Sequence, residues 1–280
     1  MNKYLLVLSL VFSTLNFSFS QAKKVKLDTV LHEISGLAFY NDTVLVAHND
    51  SGHEPILYFL NVNGSIFHEV RITNAKNRDW EDITTDRKGT LFIGDIGNNG
   101  NSKKKLQIYK VNHPDLLTLN EVVAELITFS YPDQTQFPPP DSALRYDAEA
   151  LFFHNDSLFI LTKCRTKPFD GVSLCYVLST ESGTQIPIQK PALTFGKKGF
   201  YFDAVTAAEA IGNTLYVLTY SGLWKVDIST SDWKKISKKS VGWLSQKEAL
   251  AVDQRGKIYI GDEFHRFARG GKLRTKKIKR

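Results

Sequence analysis

One strand pair recurs five times along this chain, and that recurrence limits the possible folds more than any other feature. Four copies read directly: "SGLAFYNDTVLVAHND" from Ser35, "EDITTDRKGTLFIGDI" from Glu81, "EALFFHNDSLFILTK" from Glu149 and "EALAVDQRGKIYIGDE" from Glu248. Each opens on Ser or Glu, passes a small residue into an apolar run, turns, and enters a second apolar run. From the opening residue to the second run is ten residues in three of these copies and nine in the copy at Glu149. A further copy ends in "TLYVLTY". Its acid, Glu209, lies only six residues before Leu215, whereas Thr206 lies nine before it. Spacing therefore selects Thr206 as the opening residue and puts Glu209 three residues deeper.

A third strand follows each of the first four pairs, in "ILYFLNV", "KLQIYKV", "SLCYVLS" and "GLWKVDI". A less regular fourth follows in "IFHEVRIT", "VAELITFSY", "PALTF" and "DWKKIS". Repeating four-stranded units with almost no helix signal predict an all-β chain folded as a β-propeller of five blades. A six-bladed ring is the alternative, with the extra blade between Glu81 and Glu149. The stretch "YPDQTQFPPPDSALRYD" in that interval reads instead as a long loop. The last blade is short of strands unless "KVKLDTV" near the N-terminus or the basic tail completes it.

The ends of the chain carry their own signals. "MNKYLLVLSLVFSTLNFSFSQ" has Lys3, an apolar run and small residues before Gln21, the pattern of a signal peptide over residues 1–20. Export to a periplasmic or secreted location is expected, with no stable membrane insertion after cleavage. The propeller is placed at 21–268 and a basic tail or closing edge strand at 269–280. Net charge is +7, and Arg269, Lys272, Arg274, Lys276, Lys277, Lys279 and Arg280 account for all of it. A body without excess charge does not fit nucleic-acid binding, which spreads cations over a face of the fold. Cys164 and Cys175 flank one turn, and an oxidising compartment leaves a disulfide between them open.

In a blade the start of the first strand and the end of the second share one rim. The opening residues Ser35, Glu81, Glu149, Thr206 and Glu248 should therefore meet the second-strand ends Asn49, Asp95, Thr162, Thr219 and Asp262 at one axial mouth. Asp50, Lys163, Tyr220 and Glu263 come next. The longest connections, including "DIGNNGNSKKK" and "GKKGFYFDA", fall on that rim, where loops usually carry function. Two unit charges about 5 Å apart cost roughly 3 kcal/mol at an effective dielectric near 20. Glutamates gathered there need a cation, a proton or a basic partner. Oxygen-only ligands favour a hard ion such as Ca²⁺, which makes Glu81, Glu149, Glu248, Asp95 and Asp262 the candidate metal ligands. Ser35, Asn49, Asp50, Lys163, Thr206, Tyr220 and Arg145 are the candidate ligand-binding residues. Lys163 is also the candidate structural partner of the acids. Arg145, Lys163 and Arg165 have the chemistry to clamp an anion. His48, His53 and His265 are expected at the acid rim, His154 at the other, and Trp80 between blades.

The blocks "EISGLAFYNDTVLVAHND", "DWEDITTDRKGTLFIGDIGNN" and "KEALAVDQRGKIYIGDE" resemble the SdiA-regulated family of exported bacterial propellers, related at a distance to NHL-repeat proteins. The resemblance covers most of the mature chain. It implies a five-bladed propeller with bound calcium and no established reaction. Thr162-Lys163 and Thr219-Tyr220 stand where that pattern would put an acid, which breaks the symmetry of any ligand ring. The reading is an exported calcium-binding module that takes a small molecule, glycan or protein at the mouth. The alternative is a metal-assisted hydrolase of a lactone, ester or phosphoester.

Overall fold

A computed structural model describes residues 23–242, 245–263 and 271–277. The expected signal segment, His265, Arg269 and the last three residues lie outside that description. Five sheets stand around one axis. Blade 1 runs Ile34–Phe39, Val44–Asn49, Ile56–Asn61 and Ile66–Ile72 from axis to edge. Blade 2 runs Trp80–Thr85, Thr90–Asp95, Leu106–Asn112 and Glu125–Phe129. Blade 3 is Asp147–His154, Ser157–Lys163, Val172–Ser179 and Ile188–Thr194, and blade 4 is Val205–Ile211, Thr214–Thr219, Gly222–Asp227 and Lys234–Ser240. The five innermost strands touch in cyclic order, blade 5 against blade 1. The fold is a five-bladed propeller, and the interval considered for a sixth blade is largely loop.

Both chain ends complete blade 5. Outward from the axis its strands are Lys247–Val252, Lys257–Asp262, Lys272–Lys277 and Lys23–Lys26. The N-terminal strand lies antiparallel on the tail strand, with Val25 opposite Leu273. Leu273 is fully buried against Leu27, Leu31 and Tyr259, so closure rests on apolar burial as well as on the ladder. The edge strand of this blade, Lys23–Lys26, carries Lys23, Lys24 and Lys26, and charge on an edge discourages edge-to-edge pairing.

Alternating strands put apolar residues on both faces of each sheet, and each face packs against the next blade. The core is accordingly five apolar clusters, one per blade junction. Trp80 is fully buried at the junction of blades 1 and 2, with Phe59, Val46 and Ile93. Two short strands had no signal in the repeat. Glu121–Val122 adds in parallel to the edge of blade 1, and Gly183–Gln185 to the edge of blade 2. Each comes from the following blade and covers an edge that would otherwise be open.

The cysteines are both free and buried. Cys175 faces Leu161 across the ladder, while Cys164 lies beyond the strand end, beside Thr166 and Asp170. Among the described residues no helix is long and apolar enough to cross a membrane.

Candidate functional site

The repeat builds its mouth with a β-bulge. In all five inner strand pairs the register slips by one residue, between Ile34 and Gly36, Trp80 and Asp82, Ala148 and Ala150, Val205 and Ala207, and Lys247 and Ala249. The extra residue is Ser35, Glu81, Glu149, Thr206 or Glu248, the position that spacing picked. A bulge leaves that residue out of the ladder and re-aims its side chain. Thr206 is a bulge residue and Glu209 is not. Glu209 pairs regularly with Tyr216 and bonds Arg87 Nη2 at 2.9 Å. Arg87 rises from a tight turn of blade 2 and also donates to Val252 O of blade 5.

At the bulge end of the axis is an open cavity of about 560 Å³. Five carboxylates line it, from Asp50, Glu81, Glu149, Glu248 and Glu263, against two cations, Lys163 and Arg165. Phe200 and Tyr201, from the short helix Phe200–Asp203, form an aromatic wall with Tyr220. Asp50, Tyr220 and Glu263 each stand one residue past a second-strand end, and Lys163, the last residue of its strand, holds the matching place in blade 3. Side chains alternate along a strand, so when these four face the axis, the residues just before them face away.

That alternation corrects two expected metal ligands. Asp95 accepts from Arg78 Nε, Gln107 Nε2 and the Asp79 amide, each at 2.9 Å, and does not line the cavity. Asp262 is bonded by Arg274 and also lies outside the lining. The other expected ends behave alike. Asn49 donates to Val30 O at 2.7 Å, Thr162 accepts from the Leu174 amide at 2.9 Å, and Thr219 exchanges bonds with the Gly222 backbone at 3.1 Å. Ser35 donates to Glu81 O, and Thr206 is buried; neither lines the cavity. Arg145 is likewise displaced, because it bonds Asp170 and Ser142 O. Arg165 occupies the mouth instead.

His48 is also not at the rim. It is fully buried, its Nδ1 is 3.0 Å from Asn49 O, and Trp80 packs edge-on against it at 5.3 Å. Burial lowers its pKa to about 4, so it is a neutral core residue.

The charges at the mouth are unevenly compensated. Lys163 Nζ is 2.9 Å from Glu149 Oε1, and Arg165 bonds Asp147 and lies 3.5 Å from Glu149. Lys163 also stands 5.0 Å from the Tyr220 ring and 5.5 Å from Phe200, a favourable setting for a cation. Tyr220 donates to Glu248 Oε1 at 3.0 Å. Glu81 has no such partner: no cation among the described residues lies within ion-pair distance of it. It is only 5% exposed. Burial first, then the charges of Glu149, Asp50, Asp147 and Asp79, hold its carboxyl well above the usual range. Burial, and next the charge of Glu248, push Asp50 up to about 6 and Glu263 to about 9.

Carboxylate oxygens of Glu81, Asp147 and Glu149 lie within 4.8 Å of one another, as do those of Asp50, Asp79 and Glu81. Glycine makes the second group possible. A Cβ on Gly97 would stand 2.1 Å from Glu81 Oε1 and 2.5 Å from Asp79 Cγ. The oxygen-only donor set, the crowding and this cradle fit a hard divalent cation.

The chain is similar in fold to a glutaminyl cyclase. That crystal structure, from Myxococcus xanthus, superposes with a TM-score of 0.53 at 11% identity, over 91% of this chain and 94% of that one. A crystal structure of glucose dehydrogenase gives 0.52 at 10% identity, over 92% of this chain and 100% of that one. No protein-family model and no curated sequence matches. At these identities the likeness shows a propeller and nothing of the site.

Several residues at or beside the mouth escaped the sequence reading, among them Asn99, Phe200, Tyr201 and Gln246. Two more, Asp79 and Asp147, had a legible signal. "DWE" and "DAE" repeat an acid two residues before the bulge glutamate, hence on the same side of the strand. Asp82 was missed as well. It is fully buried and accepts from the amides of Ile83, Leu151 and Ala208 at 2.9, 3.0 and 3.3 Å. One carboxyl thereby ties the inner strands of blades 2, 3 and 4.

Proposed function

We propose that this chain is an exported binding module, periplasmic or secreted, whose acidic axial mouth holds Ca²⁺ and takes a small molecule, glycan or protein ligand. One observation carries the reading: Glu81 is buried among four other carboxylates and has no cationic partner. Glu149 and Glu248, its counterparts at two other bulges, are each satisfied by a neighbour. A bound divalent ion would supply the missing positive charge and an attachment point for an oxygen-bearing ligand. Asp50 and Glu81 are the residues to hold it, with Asp79 beside them, whose carboxylate also accepts from Lys103 Nζ at 2.7 Å. Asp147 and Glu149 stand beside Glu81 but are already engaged with Arg165 and Lys163. The excess of acid favours cationic or metal-bridged ligands over free anions, and the faces of Phe200, Tyr201 and Tyr220 offer stacking area. The resemblance to the SdiA-regulated family supports the same ion.

The metal-assisted hydrolase reading is favoured by a different observation. Asp50 is pushed up to about 6 and Glu263 to about 9 at one cavity, a pairing suited to a base and an acid near neutral pH. A glutaminyl cyclase and a glucose dehydrogenase share the fold at TM-scores above 0.5, so the fold is compatible with chemistry. The binding reading ranks first because the observation that carries it, the unpartnered Glu81, calls for an ion and not for a reaction.

The test is calorimetric titration of chelator-treated protein with Ca²⁺. One site is expected, in the roughly 10⁻⁷ to 10⁻³ M span of natural oxygen sites. Glu81→Gln should abolish the binding, while Glu209→Gln, which alters a side chain held by Arg87 outside the cavity, should leave it. Equal binding by wild type and Glu81→Gln would remove the reading.

A further inference from the structure

A second cluster of ligating side chains stands at blade 1, next to the all-carboxylate mouth but outside its lining. His32 and Glu33 precede the inner strand of the blade, and His53 comes from the loop after its second strand. His53 Nε2 lies 2.7 Å from Glu33 Oε2, and His32 Nε2 lies 3.9 Å from Glu33 Oε1. The two oxygens of one carboxylate thus each face one imidazole. The rings meet edge-on at 5.2 Å, and the three ligand atoms fall within 4.8 Å of one another.

A separate contact orients the set. His32 Nδ1 is 2.8 Å from the carbonyl of Thr29. A carbonyl only accepts, so Nδ1 carries the proton and the Nε2 lone pair is left on the side of Glu33. A hydrogen bond from the far ring nitrogen to a carbonyl or carboxylate is how metal-binding histidines are fixed in tautomer and orientation. The backbone is held too: Glu33 O accepts from the Asp50 amide at 2.8 Å, joining the two segments that carry the ligands.

We propose that His32, Glu33 and His53 form a site for a borderline transition-metal ion of the Zn²⁺ class. Two imidazoles and a carboxylate suit such an ion and not Ca²⁺, which takes oxygen. Donors about 2.1 Å from a tetrahedral ion stand about 3.4 Å apart. The observed 2.7 and 3.9 Å, to the two oxygens of Glu33, bracket that spacing, and all three ligand atoms fall within 4.8 Å of one another. All three side chains are partly open to solvent, and an ion held by three protein ligands keeps a fourth position for water or an incoming ligand. Glu33 precedes its bulge residue by two, as Asp79 and Asp147 precede theirs. The site is therefore the blade 1 version of the paired position, with histidines beside the acid.

The test uses tag-free, metal-stripped protein titrated with Co²⁺ and then Zn²⁺. Co²⁺ should give ligand-field absorption of a low-coordinate site, one equivalent per chain, displaced by Zn²⁺. Loss of even an outer-shell partner costs about 10- to 100-fold in affinity, so His53→Ala and His32→Ala should each weaken Zn²⁺ by about 100-fold or more. Glu81→Gln should leave Zn²⁺ binding intact, and the histidine variants should leave the Ca²⁺ titration intact, which separates this site from the mouth. Absence of saturable Zn²⁺ binding, or unchanged binding in the His32→Ala/His53→Ala double variant with an unaltered melting temperature, would overturn the proposal.

Discussion

Lys163 Nζ and Glu149 Oε1 are 2.9 Å apart in the wall of the mouth, and each side chain is 4% exposed. The pair neutralises the acid of blade 3 and leaves the acid of blade 2, Glu81, uncompensated beside it. Removing one member of a buried pair leaves a charge without a partner, which typically costs about 3–5 kcal/mol. Lys163→Met is expected to lose about that much in urea unfolding. Glu149→Gln added to it should recover a large part, because the second change removes the stranded charge. A double variant no more stable than Lys163→Met would show that the pair is not the source of the loss.

Acidity is expected to stabilise the metal-free protein. Glu209 at the opposite end of the axis is raised to about 7, by burial that the charge of Arg87 only partly offsets. The folded state then holds more protons than the unfolded chain between about pH 4.5 and 7. This contribution is full below about 4.5 and is lost as pH rises through 7. A shift of that size corresponds to on the order of 3 kcal/mol. Glu81 and Asp82 are raised by burial as well and act in the same direction. Unfolding free energies at pH 5 and pH 8 in chelator should fall between the two, and Glu209→Gln should show a smaller fall. Equal falls in both proteins would contradict the assignment.

How much of this was legible depended on what the residue pattern records. The five bulge positions were readable because a bulge adds one residue, and added residues appear as spacing. Thr206 in place of Glu209 followed from that count alone. The destination of Asp95 and Asp262 was not readable. A bulge shifts the alternation of a strand against its neighbour, so an adjacent position in sequence need not face the same cavity. Arg78 and Arg274, which draw these acids away, come from outside the repeat template. The edge strands at Glu121–Val122 and Gly183–Gln185 were too short to carry a periodicity.

Closure of the ring predicts a strong dependence on one tail residue. Leu273 is fully buried between the N-terminal strand and blade 1. Leu273→Ala should cost about 2–5 kcal/mol, a fall in melting temperature of about 5 to 15 °C for a chain of this size. Truncation before Lys272 should destabilise more, since it removes two paired ladders. Thermal melts that leave both variants at the wild-type temperature would deny the tail its place in the blade.

Reduction should not destabilise the protein. The cysteines are free, and burial pushes the Cys175 thiol up to about 12. Reaction with a thiol reagent is expected only on unfolding for Cys175, and the melting temperature should be the same with and without reductant. A lower melting temperature in reductant would reveal a bond between them.

The central claim is that a cation completes the mouth through Glu81. A thermal melt in chelator, in calcium and in magnesium, on wild type and Glu81→Gln, tests it most directly. With a dissociation constant near 10 μM, about 1 mM Ca²⁺ stabilises the folded form by roughly 2.7 kcal/mol, a rise of about 5 to 10 °C. Magnesium should give less, because it demands octahedral geometry and holds its waters. Glu81→Gln should lose most of the calcium rise, and in chelator should melt at or above the wild type, since it removes a buried charge without a partner. A wild type that melts at one temperature in chelator and in calcium would contradict the account.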